Sequence, residues 1–245
     1  MPDSRTPDAP TAEAAAEAAV TAEATAIAEA AATAPDRRPV TADDLDLAVD
    51  LAVTTLRAAL DSPDWDAKAG TLDWSCWETV EHLSDDLFFY AAQIGPATTP
   101  LNGPVPFRWE EERPGGPANL IRADRAAGPA GLLQVLQASA AMLSALVRTK
   151  PPTVRAFHVY GVSDPEGFAA MGLVEVLVHL HDLAQGLALD WTPPAGLCRA
   201  VLDRLWPDTP GGTDPWATLL WATGRGELPG RARLTAWRWD GRPRD

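Results

Sequence analysis

The run Val174-Glu175-Val176-Leu177-Val178-His179-Leu180-His181-Asp182 sets a carboxylate and an imidazole four residues apart inside an apolar stretch. On a helix, residues i and i+4 lie one above the other on the same face. Glu175 and His179 therefore point the same way, and Asp182, three residues on, joins them. An ionised Glu in an aliphatic surface is costly unless something neutralises it. A divalent cation would do so, and a Glu oxygen with a His nitrogen is an ordinary pair of zinc ligands.

A site of this kind needs a third protein ligand, and the remaining histidines are His82, His158 and His181. His181 is two residues from His179 and so faces another side of the helix, as a surface or packing residue. His158 falls in a stretch that reads as loop or strand. His82 lies on a helical pattern with Thr79, Asp86 and Phe89 on its face. Spacing alone leaves the choice open, because Glu-x-x-x-His pairs are also common as plain helix-surface neighbours.

Four helical segments must position these groups. The first opens with Thr41 as N-cap and Asp43 and Asp44 in its first turn, and carries Leu45, Val49, Ala52, Leu56 and Leu60 at helical spacing. The second opens at Ser75, where Glu78 completes a capping box, and runs to Gly95-Pro96. The stretch from Pro96 to Gly128 is broken by Pro and Gly and receives no assignment. The third opens at Pro129, turns Leu132, Leu136, Leu143 and Leu146 inward and stops before Pro151-Pro152. The fourth starts from Asp164-Pro165 and reaches Gly186, read as its C-cap. Four amphipathic helices with long connections describe a four-helix bundle, an architecture whose core often houses metals.

Beyond Trp191 the pattern changes. A short helix (Pro194 to Leu205) and another over Trp216 to Thr223 are followed by Leu234 to Trp239, whose alternation predicts a strand. Six of the ten tryptophans fall in this last part, where they read as anchors packing a small subdomain onto the bundle. The expected organisation is a tail over 1–37, the bundle over 38–190 and a C-terminal α/β subdomain over 191–245.

Composition narrows the function. A net charge of −14 opposes a nucleic-acid or anionic-membrane surface. No run of eighteen apolar residues reads as a membrane span. Cys76 and Cys198 are far apart and form no Cys-x-x-Cys pair, consistent with a reducing, cytoplasmic compartment. Cys76, in the first turn of the second helix, reads as a buried structural thiol. The Ala-rich N-terminal stretch lacks the basic and hydrophobic regions of a signal peptide and has little apolar surface to bury.

Trp74-Ser-Cys-Trp-Glu-Thr-Val-Glu-His82-Leu resembles the opening of the second helix in DinB-like four-helix metalloenzymes. Glu175-x-x-x-His179-x-x-Asp182 resembles the fourth-helix motif of their mycothiol-dependent maleylpyruvate isomerase branch, and Leu219-Leu-Trp-Ala-Thr-Gly-Arg225 is similar to that branch's C-terminal Gly-Arg segment. The resemblance spans Thr41 to Trp239. It implies a mainly α, DinB-like fold and a metal, Zn²⁺ by donor type, on His82, Glu175 and His179. It also implies mycothiol as thiol cosubstrate. Two imidazoles and one carboxylate leave zinc with net positive charge and an open position, where a thiol loses its proton readily. Addition to an activated double bond, rotation and elimination would give cis–trans isomerisation. Addition alone would make the protein a mycothiol S-transferase, and a non-catalytic metal-binding bundle or a metal-water hydrolase are further alternatives. Asp182 is expected to accept a proton from a ligand imidazole and fix its tautomer. Arg225 is expected either to clamp a carboxylate of substrate or thiol, or to form an ordinary salt bridge. A monomer acting on small molecules is the expected state.

Deleting residues 2–36 is expected to leave the melting temperature and metal content almost unchanged, measured by calorimetry and elemental analysis. A fall in melting temperature of more than about 4 °C, roughly 1 kcal/mol for a domain of this size, would contradict that reading.

Overall fold

The structure is a computed structural model that describes residues 37–244; the expectations placed on the N-terminal stretch lie outside the described residues. Four long helices carry the fold: α1 (Ala42–Arg57), α2 (Cys76–Ile94), α3 (Gly128–Thr149) and α4 (Pro165–Gly186). Two shorter ones follow, α5 (Ala195–Leu205) and α6 (Pro215–Ala222). The caps read from sequence are formed. The Thr41 side chain accepts from Asp44 N and the Asp44 side chain accepts from Thr41 N, closing a capping box on α1. Ser75 and Glu78 do the same on α2, and Asp164 accepts from Gly167 N at the start of α4.

The helix α4 is apolar on nearly every face because it is packed from every side. It contacts α1, α2, α3 and α5, and Phe168, Met171, Leu173, Leu177, Leu180 and Leu183 are fully buried. A helix hydrophobic all round is the signature of a core helix. Both α3 and α4 are long and apolar enough by composition to cross a membrane, but 89% of the apolar window of α4 is buried inside the protein. One core cluster runs from Val40 to Trp239, so the segment after residue 190 packs into the same apolar interior as the bundle.

The stretch left unassigned between α2 and α3 is an irregular cover clamped to α2. It includes one short antiparallel pair, β1 (Glu110–Glu111) with β2 (Ala118–Asn119). Asp85 Oδ1 accepts from the backbone N–H of Leu120 at 2.6 Å and of Ile121 at 2.9 Å. Glu81 accepts from Ala123 N, and Arg113 pairs with both oxygens of Glu78. One acidic face of α2 thus holds the cover while the neighbouring face, with His82 and Asp86, is left for the site.

Two expectations need correction. Residues 234–239 form no strand. Their backbone is engaged with helices and indoles: Asp240 N donates to Leu205 O, Trp206 Nε1 donates to Arg238 O, and no neighbouring edge offers a ladder. The small C-terminal part is therefore helical and irregular rather than α/β among the described residues. Gly186 is the last residue of α4 rather than its C-cap. A Cβ there would stand 2.5 Å from both Cys76 Sγ and Lys68 O, so close packing explains this glycine. The left-handed residue that closes the helix is Ala188, at φ +53°.

Gly172, in the middle of α4, tests the packing. A Cβ at this position would meet Leu143 Cδ2 at 2.8 Å and Leu87 Cδ2 at 2.9 Å, whereas one at Gly196 in α5 would meet nothing within 4 Å. Gly→Ala in a helix gains about 1 kcal/mol from backbone entropy, and overpacking costs about 1–3 kcal/mol. Gly196→Ala should raise stability by up to about 1 kcal/mol, and Gly172→Ala should lower it by up to about 2 kcal/mol, in urea unfolding. Equal stabilisation by the two would contradict the interdigitation of α2, α3 and α4.

Candidate metal centre

The imidazoles of His82 on α2 and His179 on α4 meet edge to face, with ring centroids 5.5 Å apart. Each Nε2 has a carboxylate beside it. His82 Nε2 stands 3.3 Å from Asp86 Oδ2, and His179 Nε2 stands 3.2 Å from Glu175 Oε2. Both pairs are i,i+4 neighbours. One ligand atom each from His82, Asp86 and His179 lies within 4.8 Å of the other two, an arrangement that could hold a metal ion. Asp86 was not singled out from the sequence as a ligand, although the same four-residue spacing that marked Glu175 and His179 links it to His82.

The donor set fits a cation of zinc's size. Bonds of about 2.0–2.1 Å at tetrahedral angles put neighbouring ligand atoms roughly 3.4 Å apart, close to the two imidazole–carboxylate separations. Electrostatics agree. Burial drives the Asp86 carboxyl well above its ordinary value, and the charges of Glu175 and Asp85 drive it further. Burial also pushes His82 down to about 4, helped by the nearby charge of His179. Burial opposes charge on Glu175 and His179 too, but their mutual contact outweighs it: the carboxylate falls below its usual range and the imidazole, held also by Asp182, rises above its own. Acidic and basic groups share protons in a confined space, and a divalent cation would replace those protons.

Behind His179 lies a chain of charge. Asp182, 2% exposed, brings Oδ2 to 3.4 Å from His179 Nδ1. Arg225 donates from Nη2 to Asp182 Oδ2 at 2.6 Å and from Nε to both carboxylate oxygens at 3.0 and 3.2 Å. Burial would raise the Asp182 carboxyl, but His179 and Arg225 hold it below the ordinary range. The carboxylate that Arg225 grips thus belongs to the protein, and Nη1 donates to Thr223 O. The Gly-Arg segment explains the reach. Gly224, at φ +67°, reverses the chain after α6, Arg225 N donates to Leu220 O at 2.7 Å, and the guanidinium is returned towards α4. A side chain at Gly224 would also strike Leu234 O at 2.8 Å.

Further neighbours frame the cluster. The Trp74 ring packs edge-on to His82 at 4.6 Å, and its Nε1 donates to Gly115 O. Tyr90 Oη donates to Glu175 Oε1 at 3.5 Å. Asn119, brought in by β2 and 1% exposed, adjoins His82 and favours its charged form. Neither His82 Nδ1 nor the two amide atoms of Asn119 have a well-formed hydrogen bond, and pairing Nδ1–H with Asn119 would leave Nε2 as the open lone pair. His158 stays apart from the ligand atoms. It is buried against Tyr90, Phe168 and Trp239, and burial takes it down to about 4. His181 packs against Trp216 at 5.6 Å. Cys76 is fully buried, with its thiol pushed up to about 11 by burial.

In metal-free protein the titrations of the two site histidines should be displaced to opposite sides of the ordinary 6.5, His82 to about 4 and His179 above it. The raised His179 contributes stability that is fully present below about pH 6.5 and is lost as pH rises through its folded value. The lowered His82 contributes stability that is lost as pH falls from about 6.5 towards 4. Imidazole NMR checks this, and zinc should abolish both titrations. Two overlapping curves near pH 6.5 would contradict the geometry.

A family model described as mycothiol maleylpyruvate isomerase N-terminal domain matches residues 47–184, more than half of the chain. No curated protein and no solved structure matches. The matched stretch runs from within α1 to the last turn of α4 and contains His82, Asp86, Glu175, His179 and Asp182, while Arg225 lies beyond it. With a mainly helical bundle that gathers these side chains at one point, the chain belongs to the mycothiol maleylpyruvate isomerase N-terminal domain family.

Proposed function

We propose that this protein is a mycothiol-dependent metalloenzyme in which His82, Glu175 and His179 hold a divalent metal, zinc by the chemistry of the donors, with Asp86 as a further donor within reach. The observation that supports the reading is the convergence of ligand atoms of His82, Asp86 and His179 within 4.8 Å of one another, with Glu175 Oε2 3.2 Å from His179 Nε2, in a chain of this family. A divalent cation held there stabilises a thiolate over its thiol, which makes the thiol a nucleophile at neutral pH. Asp182, whose Oδ2 stands 3.4 Å from His179 Nδ1, would orient His179 by accepting its Nδ1–H when a metal is bound, and Arg225 keeps Asp182 ionised for that purpose. Tyr90 directs its hydroxyl at Glu175 and restricts how that carboxylate can turn.

The reaction proposed is thiol addition to an unsaturated, electron-poor substrate. Sulfur bonds to the β-carbon of a C=C conjugated with a carbonyl, and the π electrons move to the carbonyl oxygen. The former double bond rotates as a single bond, and the electrons return to expel the thiolate. The product is the cis–trans isomer and the thiol is regenerated. When the α-carbon takes up a proton instead, the thiol adduct is the product and the enzyme is an S-transferase. The same reading takes the protein to act on small molecules, as a monomer in the cytoplasm, and the net charge of −14 supports it only in disfavouring nucleic-acid and anionic-membrane surfaces.

His82→Ala, Glu175→Ala and His179→Ala should each reduce zinc from about one per chain to near zero after dialysis, and Asp182→Asn should weaken zinc affinity about 10–100-fold. Arg225→Ala should weaken zinc affinity in the same direction as Asp182→Asn, and Lys should restore it only in part because the planar fork is lost. With cobalt in the site, mycothiol should produce sulfur-to-cobalt charge-transfer absorption that fades as pH falls. Mass spectrometry of zinc-loaded protein with mycothiol and unsaturated carbonyl compounds distinguishes isomers from adducts. Full zinc occupancy in all three ligand variants, or a cobalt spectrum indifferent to mycothiol, would overturn the proposal.

A further inference from the structure

The histidine–carboxylate cluster is open on two sides, and the two sides differ in chemistry. One cavity, of about 380 Å³, lies towards α6 and has a mixed lining, in which Thr71, Thr223, Arg225 and Arg233 add polar and cationic groups to Trp74 and Trp237. The other, of about 510 Å³, lies under the cover between α2 and α3, and Phe89, Tyr90, Trp109, Phe157, Val159 and Trp239 wall it. Both contain His82, Glu175, Tyr160 and Trp239, so the candidate metal ligands stand at their junction.

Among the described residues, the second cavity has no lysine or arginine in its wall. The acidic side chains facing it are Asp85, Asp86 and Glu175. Of its two histidines, His158 accepts a hydrogen bond at Nδ1 from Tyr160 N at 3.1 Å, so that nitrogen carries no proton. Its rim is also apolar where water would be expected to favour polar residues: Val159 is 70% exposed, Tyr160 40% and Trp109 39%. Large exposed hydrophobic side chains gathered at the mouth of an aromatic cleft mark a binding site for an apolar ligand. In the aromatic part of the cleft, away from the candidate metal ligands, a carboxylate would leave water with no cation among the described residues to receive it, and an unpaired charge in such a place is strongly disfavoured.

We infer that this second cavity is the electrophile pocket and that it takes an uncharged aromatic electrophile, with the polar thiol cosubstrate on the Arg233 side. The inference rests on the thiol-addition reading above. Its chemistry departs from the maleylpyruvate of the family's description: Phe89 and Trp109, whose rings pack on each other at 5.4 Å and 60°, form an aromatic corner against which a flat ring can lie. The electrophilic carbon of a ring-conjugated enone would then point out of the aromatic cleft towards the junction where His82 and Glu175 lie.

The test uses full-length, metal-loaded protein and two unreactive probes, 4-phenylbutan-2-one and succinate, titrated by calorimetry or ligand-observed NMR. The aromatic ketone is expected to bind at least about tenfold more tightly than succinate, and Trp109→Ala to weaken it about tenfold, as the loss of one aromatic contact and its buried area implies. The unfolding midpoint of Trp109→Ala serves as the folding control. Val159→Arg, at an exposed rim position, should raise succinate affinity at the expense of the ketone. Succinate binding as tightly as the ketone, ketone binding unmoved by both variants, or no binding of either probe would overturn the inference. The cobalt–mycothiol spectrum of the same samples separates the two claims. A normal thiol response with failed ketone binding removes only the substrate class, whereas Trp109-sensitive ketone binding without a thiol response removes only the thiol chemistry.

Discussion

Everything at the centre of this protein depends on neutralising carboxylates inside an apolar helix. Glu175 and Asp182 belong to α4, whose other side chains are nearly all aliphatic and packed on every side. Their charges are tolerable there because His179 lies between them and Arg225 reaches across from the turn after α6. Removing one partner from such a buried network leaves an uncompensated charge, which costs more than the pair contributes. The same crowding makes the site receptive to a divalent cation, which would take the place of the protons that burial favours on Asp86 and that the carboxylates favour on His179.

The rest of the fold fixes the two helices that carry this cluster. Small residues set the spacing: Gly172 admits Leu87 and Leu143, and Gly186 admits Cys76 and the backbone of Lys68. The capping box at Ser75 fixes where α2 begins, and with it the register of His82 and Asp86. The acidic groups of α2 that do not face the site hold the cover over it through backbone N–H groups. The tryptophans near the C-terminus have two uses. They anchor the last segment on α5 and α6, and Trp239 reaches past that packing to form a wall of both cavities.

Much of this was legible in the sequence, for reasons that can be named. The helices carry their own start signals, Thr41, Ser75 and Asp164-Pro165, and their apolar spacing left little choice of face. Glu175, His179 and Asp182 stood out because they are charged or polar in an apolar run, and helix geometry alone gathers them. His82 came from resemblance to a family, since nothing local relates α2 to α4. Asp86 was overlooked although it stands four residues from His82; a carboxylate on a helix that also bears Glu78, Glu81 and Asp85 gives no contrast. The partner of Arg225 was not legible at all, because the contact bridges 43 residues and depends on the reversal at Gly224. The segment from 96 to 127 has almost no ladder of its own and takes its shape from side chains of α2, a tertiary effect without sequence period. The alternation over 234–239 misled for the complementary reason: its tryptophans face helices, and the pattern that suggests a strand records only which side is buried.

Anomalous diffraction at the zinc edge, from crystals of the zinc-loaded protein, tests the central claim most directly. The account predicts one strong peak among His82 Nε2, His179 Nε2 and the carboxylates of Glu175 and Asp86, at about 2.0–2.1 Å from the imidazole nitrogens, with Arg225 still paired to Asp182. A peak elsewhere in the molecule, or His82 and His179 left without metal while zinc is bound, would contradict it.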